Sequence, residues 1–528
     1  MRKIAYTLIS FLLIATNYSF GQGEVEANLF SRTDLYGTAR AISMGGAFGA
    51  LGGDLTGVSI NPAGIAVYRS SEIATTAVFH QEKMKATDIS HSKNKFNFHN
   101  LGFIGYFPLR NDNVPLINFG FSYNKVKSFD RDYQAFGADR ATSLMDYMSH
   151  VSTIANNGAG VDPVDLQFKD DDSYYPFKNA PWLSVLAYNS YLIDPAEDSQ
   201  GTFYIPLHDE TVSNSLYMSE RGSIDVYDFS VGTTINNVLN LGISLSISDI
   251  NYNLYSENSE DFAAGGTSGF DLKNWLISEG NGVGVKVGAI YRPIHALRLG
   301  LSYHSPTWYN ITDRYSAEMI EDVADYVDIA DYESGSTFSG EKRNDYDFRT
   351  PDKWTASAAL VLGNNMIVSM DYELTNYGSM KYSDPSSYYP ANHYDADNSY
   401  ISEDYSTSST VRAGFEYRFT PKLSARLGYA WMQNPYKSVL RDRGDAMTVG
   451  STTAYRMEGD ANYFTGGIGY RFNRNFYADF AMVYKTQSDD LYSYPNVYYD
   501  DGTSFIDAAP YELDNNSIRA MLTIGYRF

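Results

Sequence analysis

Catalysis by this chain would have to rest on a short list of side chains. Its 528 residues include eight histidines, at 80, 91, 99, 150, 208, 295, 304 and 393, and no cysteine. A hydrolytic metal centre on a helix needs two histidines one turn apart, and no H-E-x-x-H or H-x-x-x-H pattern occurs. A G-x-S-x-G nucleophile elbow is missing as well. The nearest approach to a triad is His304 beside Ser302 and Ser305. Without a thiol there is no disulfide framework, thiolate zinc site or cysteine nucleophile. These residues predict no enzyme, no cofactor and no metal site.

A second set of polar residues has a clear spacing. Lys286, Arg298, Asp371, Glu373, Arg412, Glu416, Arg426, Asp479 and Arg519 stand at alternate positions in segments whose other positions are apolar. "LNLGISLSIS" sends Leu241, Ile243, Leu245 and Ile247 one way and Gly242, Ser244, Ser246 and Ser248 the other. "GVGVKVGAIY", "VRAGFEYRF", "LSARLGYAW" and the terminal "SIRAMLTIGYRF" repeat the pattern. Period-two alternation is the mark of a strand with two unlike faces. A soluble sandwich or propeller also alternates, with its polar face in water.

The connections and the aromatics point to a membrane instead. About fourteen such segments occur, near 72–82, 98–107, 116–127, 223–236, 239–252, 282–292, 297–310, 350–362, 366–378, 409–419, 423–434, 460–472, 476–487 and 516–528. Tight turns such as "NNVLN", "GNN", "TPK" and "NRN" alternate with long Tyr- and Ser-rich acidic loops, the longest from about 129 to 222. "YRF" at 417–419, 470–472 and 526–528, with "YRP" at 291–293, puts aromatics at one height, as an interfacial girdle requires. The fold class predicted is all-β: a transmembrane antiparallel barrel of about fourteen strands, its alternating charges facing the lumen and pairing there with each other and with whatever fills it.

The rest of the composition agrees. Aromatics make up 15% of the chain, with 46 tyrosines, which disfavours disorder and simple helical bundles. A net charge of −23 disfavours nucleic acid, whose phosphates need Lys and Arg. The acidic clusters Asp170-Asp171-Asp172 and Asp500-Asp501 read as solvated loops. Arg2 and Lys3, the apolar run "IAYTLISFLLIA" and Ser19-Phe20-Gly21 have the form of a signal peptide. The predicted division is a signal peptide at 1–21, a lumenal plug at 22–71 and the barrel at 72–528. A terminal strand ending in Phe528 suits recognition by outer-membrane barrel assembly machinery.

Between signal and barrel lies "TARAISMGGAFGALGGDLTGVSINPAGIAVYRSSE", residues 38–72. Thr38 or Asp34 suits a helix N-cap, and Asn61 before Pro62 suits another. Gly45, Gly46, Gly49, Gly52 and Gly53 keep the segment thin enough for a narrow lumen, and Gly64 suits the exit of the Asn-Pro-Ala-Gly turn. The run Gly45-Gly46-Ala47, the acidic Asp54 and the turn Asn61-Pro62-Ala63 resemble the N-terminal hatch of the FadL/TodX-type outer-membrane transport proteins. That resemblance implies a fourteen-stranded barrel in the outer membrane of a Gram-negative bacterium. It implies uptake of hydrophobic small molecules such as long-chain fatty acids, with sideways release into outer-membrane lipid through a kinked strand near the hatch. Gly102, Gly105 and Gly120, in the second and third strands, are the candidate kink positions. Members of this family sometimes carry the label of hemin receptor, but no dedicated haem ligand stands out among the loop tyrosines and His393. FadL-like barrels also serve as scaffolds in protein secretion or surface-attachment complexes, and that is the alternative function, with a protein partner.

Overall fold

Alternating residues become a closed wall. The computed structural model describes residues 23–169, 174–207, 211–262, 268–324, 326–327, 334–363, 365–385, 393–448, 450–499 and 502–528. The expected signal peptide at 1–21, Asp170–Asp172, His208 and Asp500-Asp501 lie outside these. The first barrel strands are β1 (Glu72–Ala86), β2 (Ile89–Pro108), β3 (Leu116–Ser128), β4 (Val212–Ile235), β5 (Leu239–Phe262), β6 (Gly269–Ile294) and β7 (Leu297–His304). The others are β8 (Lys353–Leu362), β9 (Met366–Asn376), β10 (Thr407–Arg418), β11 (Leu423–Met432), β12 (Ala461–Arg471), β13 (Phe476–Tyr492) and β14 (Tyr511–Arg527). Each pairs with the next, and β14 returns to β1 from Arg527↔Glu72 to Leu513↔Ala86. Fourteen antiparallel strands therefore close, as the alternation predicts. Ser71 and Phe528 seal the joint: the Phe528 N–H donates to the Ser71 carbonyl at 3.0 Å, and the Ser71 N–H to the Phe528 carbonyl at 3.1 Å.

The outward face is apolar at membrane height. Leu241, Ile243, Leu245, Ile247, Val283, Val285, Val287, Leu522 and Ile524 are all exposed. Tyr291, Tyr417, Phe419, Tyr470, Phe472, Tyr526 and Phe528 form the girdle at the short-turn end, with ring pairs such as Tyr417–Phe419 at 4.9 Å. Tyr303 and Trp354, 4.6 Å apart, with exposed Trp308, belong to the opposite girdle.

Several strands run much further than the expected segments. β4, β5 and β6 have 24, 24 and 26 residues, where about 9–11 suffice to cross a bilayer. The connection after β1 is a tight hairpin at Thr87-Asp88, and the region 129–222 contains a strand, Arg131–Arg140, that continues the wall along β4. Trp308–Asp322 continues β7 in the same way, and Lys342–Arg349 leads into β8. The reason is an inversion of polarity with height. In β5 the buried residues at membrane level are Ser244, Ser246 and Ser248, and further up they are Ile250, Tyr252 and Leu254. Outside the membrane the wall faces water, so its apolar residues turn inward.

That upper interior holds a large apolar core. The N-terminal helix α1 (Glu24–Ser31) inserts Ala27 and Phe30 into it. Helices α2 (Ala39–Ile42) and α3 (Leu55–Ile60), then a 3-10 turn at Pro62–Val67, follow down the lumen. From the long loop, α4 (Leu144–Gly158), α5 (Pro163–Leu166) and α6 (Trp182–Asn189) fill the mouth, with Trp182 packed on Tyr315 at 4.8 Å. Burying a side chain such as Phe30 or Trp182 contributes about 1.5–3 kcal/mol, so this cap is a stable element.

Candidate functional site

A chain segment threaded through a barrel has backbone groups that neither helix nor ladder satisfies, and each needs a partner. The segment from Arg32 to Arg69 obtains them in two ways. Some are internal. Thr38 caps α2, accepting from the Ala41 N–H at 3.3 Å, and its hydroxyl donates to Asp54 Oδ1 at 2.7 Å. Asp54 caps α3, accepting from the Thr56 N–H at 2.9 Å, and Thr56 Oγ1 accepts from the Thr38 N–H at 2.7 Å. Asn61 caps the 3-10 turn, with Pro62 as its first residue and Ala63 N–H donating to Asn61 Oδ1 at 3.1 Å. The Gly64 carbonyl accepts from the Gly53 N–H at 3.2 Å, so Asp54 and the Asn-Pro-Ala-Gly turn belong to one folded unit.

The other partners come from the wall. Asp371 Oδ2 accepts from the Gly49 N–H at 2.9 Å. Arg298 donates to the Leu51 carbonyl at 2.6 Å, and Arg519 to the Leu35 carbonyl at 2.8 Å. Glu416 lies between Arg40 of the segment, at 3.3 Å, and Arg426, at 2.6 Å. Arg426 also meets Asp479 at 2.6 Å, Arg412 meets Glu373 at 3.0 Å, and Lys286 meets Asp228 at 2.7 Å. Every alternating charge singled out in the sequence thus faces inward and is paired with another charge or with the threaded backbone. His304 also holds the threaded backbone, since its Nε2 and the Ser302 hydroxyl each meet the Ile60 carbonyl at 2.9 Å. Ser305 donates instead to the Pro306 carbonyl at 2.8 Å, and no Ser–His hydrogen bond joins the three among the described residues.

Close contact is made possible by glycines in the wall. Gly232, Gly242 and Gly288 are direct cross-strand partners in β4, β5 and β6. Above them lie Ile65, Pro62 and Asn61: a Cβ at Gly242 would sit 2.3 Å from the Pro62 carbonyl carbon, and one at Gly232 2.5 Å from Ile65 Cγ2. Gly414 and Gly428 form a second such pair beneath Met44 and Gly45. Gly45 and Gly46 turn with φ of 65° and 75°, and Gly45 lies so close to the wall that a Cβ would meet the Tyr429 carbonyl oxygen at 2.5 Å. The signal for this cradle was present as glycines at lumen-facing positions of otherwise regular strands.

The wall itself is uneven between β2 and β3. Their ladder runs from Pro108↔Leu116 to Asn100↔Asn124 without a break through Gly102, Gly105 and Gly120. These three glycines are therefore not the irregular points. Gly102 and Gly120 lie beneath Leu55 and Ile65 of the threaded segment, and Gly105 beneath Phe107 and Phe103. The irregularities are next to them: a bulge at His99 against β1, and one at Val126 against β4. Above Asn100 and Asn124 no ladder joins β2 to β3 or to Arg131–Arg140. There the strands are bridged by side chains, Lys93 to Asp132 at 3.2 Å and Lys95 to Asp130. Between the threaded segment and the cap, the lumen holds a cavity lined by charged groups, among them Asp34, Glu82, Lys127, Glu458, Lys485 and Arg519.

A closed fourteen-stranded barrel with a girdled apolar face and a segment folded inside it defines an outer-membrane channel protein. The family described as "Outer membrane protein transport protein (OMPP1/FadL/TodX)" matches residues 223–528, more than half of the chain, and the chain belongs to that family. It is a family of outer-membrane channels for hydrophobic compounds, which places the chain in the outer membrane of a Gram-negative bacterium. Comparison with curated proteins gives no match. Among solved structures, a FadL homologue of Pseudomonas aeruginosa superimposes with a TM-score of 0.52 at 11% identity, over 94% of this chain and 100% of that one. The toluene transporter TodX of Pseudomonas putida gives 0.49 at 13% identity over 94% and 99%, and the toluene transporter TbuX of Ralstonia pickettii gives 0.47 at 14% over 93% and 98%. At these identities the first likeness shows the fold alone.

Proposed function

We propose that the chain takes up hydrophobic small molecules, long-chain fatty acids among them, and releases them sideways into outer-membrane lipid. In this reading residues 1–21 are removed on export, residues 22–71 are the hatch, and Phe528 ends the strand that barrel assembly machinery reads. Gly45, Gly46, Asp54, Asn61, Pro62, Ala63 and Gly64 hold the hatch in shape. The observation that carries the reading is the β2–β3 wall, where the ladder stops at Asn100↔Asn124 and ion pairs take over. Parting it there breaks side-chain contacts, among them two part-buried ion pairs, and no ladder hydrogen bond between β2 and β3. Apolar Phe96 and Phe98 stand exposed beside the gap, a surface along which an acyl chain can slide. A charged lumen disfavours the alternative route straight down.

Lys93→Cys with Asp132→Cys, bridged by a short bismaleimide, tests this in whole cells or liposomes. Uptake of a long-chain fatty acid falls and the barrel stays folded. Unchanged uptake removes the sideways route at this seam.

A second reading has its own support. The mouth is filled by ordered helices over a broad apolar core, and large structured loops suit a scaffold that holds a protein partner. Native mass spectrometry in mild detergent separates the two: co-purified amphiphile favours transport, a stoichiometric protein favours the scaffold.

A further inference from the structure

Charge is divided unevenly between the two ends of the barrel. The chain carries 63 acidic and 40 basic residues. Its six short turns, at 109–115, 236–238, 295–296, 363–365, 419–422 and 472–475, nevertheless contain Asp112 as their one acidic residue. Arg110, Lys422 and Arg474 stand in those turns, and Arg292, Arg418 and Arg471 at the strand ends beside them. Arg69 lies between the 3-10 turn and β1, where the threaded segment leaves the lumen. Short turns face the periplasm in an outer-membrane barrel. A chain of net charge −23 thus turns a basic end to that compartment.

The fold does not use up these cations. A cavity opens at this end between the threaded segment and the ends of β10 to β14. Its buried carboxylates are already engaged. Glu416 meets Arg40 at 3.3 Å and Arg426 at 2.6 Å, and Asp479 meets Arg426 at 2.6 Å. Asp54 accepts from Thr38 and Thr56, and Arg527 is paired with Glu72. Arg418, Lys422 and Arg471 line the same cavity and have no ion pair and no side-chain hydrogen bond among the described residues. Further round the rim, Arg69, Arg292 and Arg298 reach only backbone carbonyls. The Nε atoms of Arg292 and Arg298 are buried without a partner.

Direction decides what these cations can meet. Arg418 alternates with exposed Tyr417 and Phe419, and Arg471 with exposed Tyr470 and Phe472, so both point away from lipid and into the mouth. Phospholipid headgroups surround the wall and lie on the other side of it. A lone small anion needs one pocket, whereas the cations without carboxylate partners extend round the rim from Arg110 to Arg474. We propose that the short-turn end docks an acidic segment of a periplasmic protein, with one carboxylate seated in the cavity at Arg418, Lys422 and Arg471 and others at Arg69, Arg110, Arg292 and Arg474. Complementary charge steers such an encounter and fixes its register. Arg40 and Asp54 line the cavity too, so the docked segment touches the chain that fills the lumen. This surface is at the opposite end from the helical mouth, and it requires neither transport nor the scaffold role.

The probe is a fluorescein-labelled decaglutamate peptide, titrated onto the full chain in phosphatidylcholine nanodiscs. Both ends of the barrel are then open to solution, and the lipid carries no net charge. The peptide is expected to bind, and to bind less well as salt shortens the Debye length. Arg418→Gln with Arg471→Gln is expected to weaken binding about tenfold. Lys83→Gln with Lys85→Gln removes the same charge from exposed positions at the other end of β1 and should leave binding unchanged. Heat-modifiable gel mobility checks folding, and Lys422→Gln, in a turn, should give a smaller loss in the same direction. The proposal is overturned if the wild-type chain does not bind the peptide, or if the two double variants lose binding equally or not at all. Displacement of the peptide by inorganic phosphate at matched ionic strength assigns the cavity to a small oxyanion and overturns the protein partner. Loss of binding in phosphatidylglycerol nanodiscs assigns the cations to headgroups and overturns it as well.

Discussion

Asn61 occupies the space that a side chain at Gly288 would need: a Cβ there would lie 1.9 Å from Asn61 Oδ1. The threaded segment and the wall are therefore complementary at a point over two hundred residues apart in sequence. Asn61 Nδ2 donates at the same place to the Gly49 carbonyl at 2.7 Å and to the Ala289 carbonyl at 3.2 Å. A wall substitution is expected to act on the hatch without altering it. Gly288→Val and Gly242→Leu should unseat the Asn-Pro-Ala turn and raise permeation of small polar solutes in liposome swelling, with strand content unchanged by circular dichroism. Gly466→Ala, whose Cβ would meet nothing nearer than 3.4 Å, is the silent control. If Gly288→Val is as tight as wild type, the turn is not the seal.

The reverse experiment changes the hatch and spares the wall. Asn61→Ala removes a cap worth about 1 kcal/mol together with its bonds to Gly49 and Ala289, and Pro62→Gly frees the turn. The double variant should keep heat-modifiable mobility, because no strand is touched. Its residues 45–64 should become sensitive to protease added from the short-turn side, and fatty-acid uptake should fall. Full protection of that segment would contradict the hatch assignment.

Much of this architecture was legible because a barrel wall repeats one simple constraint. Ile243 against Ser244, or Val285 against Lys286, states which side is lipid, and Tyr417 and Tyr470 before short turns, with Tyr526 at the end of the last strand, state where the membrane ends. The paired inward charges were also legible, since Arg412, Glu416 and Arg426 had nowhere else to point. The extracellular half was not, because its alternation changes sign. Ile250 and Tyr252 point inward although Ile243 and Ile247 point outward, and tyrosine-rich strand looks like loop when only apolar-out alternation is sought. The uneven wall was not legible either. Gly102 and Gly120 are glycines because Leu55 and Ile65 press on them, and the breaks at His99 and Val126 depend on neighbours distant in sequence.

Height along one strand face is directly testable. Ile243 and Asn251 both project outward from β5, and Asn251 lies beyond the apolar band. Ile243→Arg should cost about 2–4 kcal/mol, as a cation near the bilayer midplane does, and lose heat-modifiable folding in vesicles. Asn251→Arg should be near neutral. Equal effects would refute the assigned height.

The N-terminal helix should respond to pH. Burial, with Asp404 close by, holds the Glu24 carboxyl well above the usual carboxylate range, while its Oε1 accepts from the Met447 N–H at 2.8 Å. A raised folded value means the docked helix binds the proton more tightly than the undocked one. Docking is then most stable near and below the free value of about 4.3, and weakens as pH rises toward the shifted one. Hydrogen exchange over residues 24–31, corrected for intrinsic rate, should show more opening at pH 8 than at pH 5. Glu24→Gln should flatten that difference. A difference retained in Glu24→Gln assigns the effect elsewhere.

The cap sets the last condition on transport. Helices α4 and α6 meet through Ser152 and Ser184, whose hydroxyls are 2.8 Å apart and buried. The apolar core beneath them closes the mouth, so any ligand arriving from outside requires these helices to separate. Ser152→Cys with Ser184→Cys can be oxidised to a disulfide at that spacing with little backbone adjustment. If the chain is a transporter, oxidised protein should lose fatty-acid uptake and regain it on reduction, with hatch protection unchanged throughout. The reduced double variant should match wild type, since two small buried polar groups are replaced by two slightly larger ones. A scaffold makes the opposite demand: its partner docks on the ordered outer surface, and locking α4 to α6 should leave partner binding intact or strengthen it. Oxidised protein that imports fatty acid at the reduced rate would mean that ligand bypasses the mouth, and the closed cap would then belong to the scaffold role.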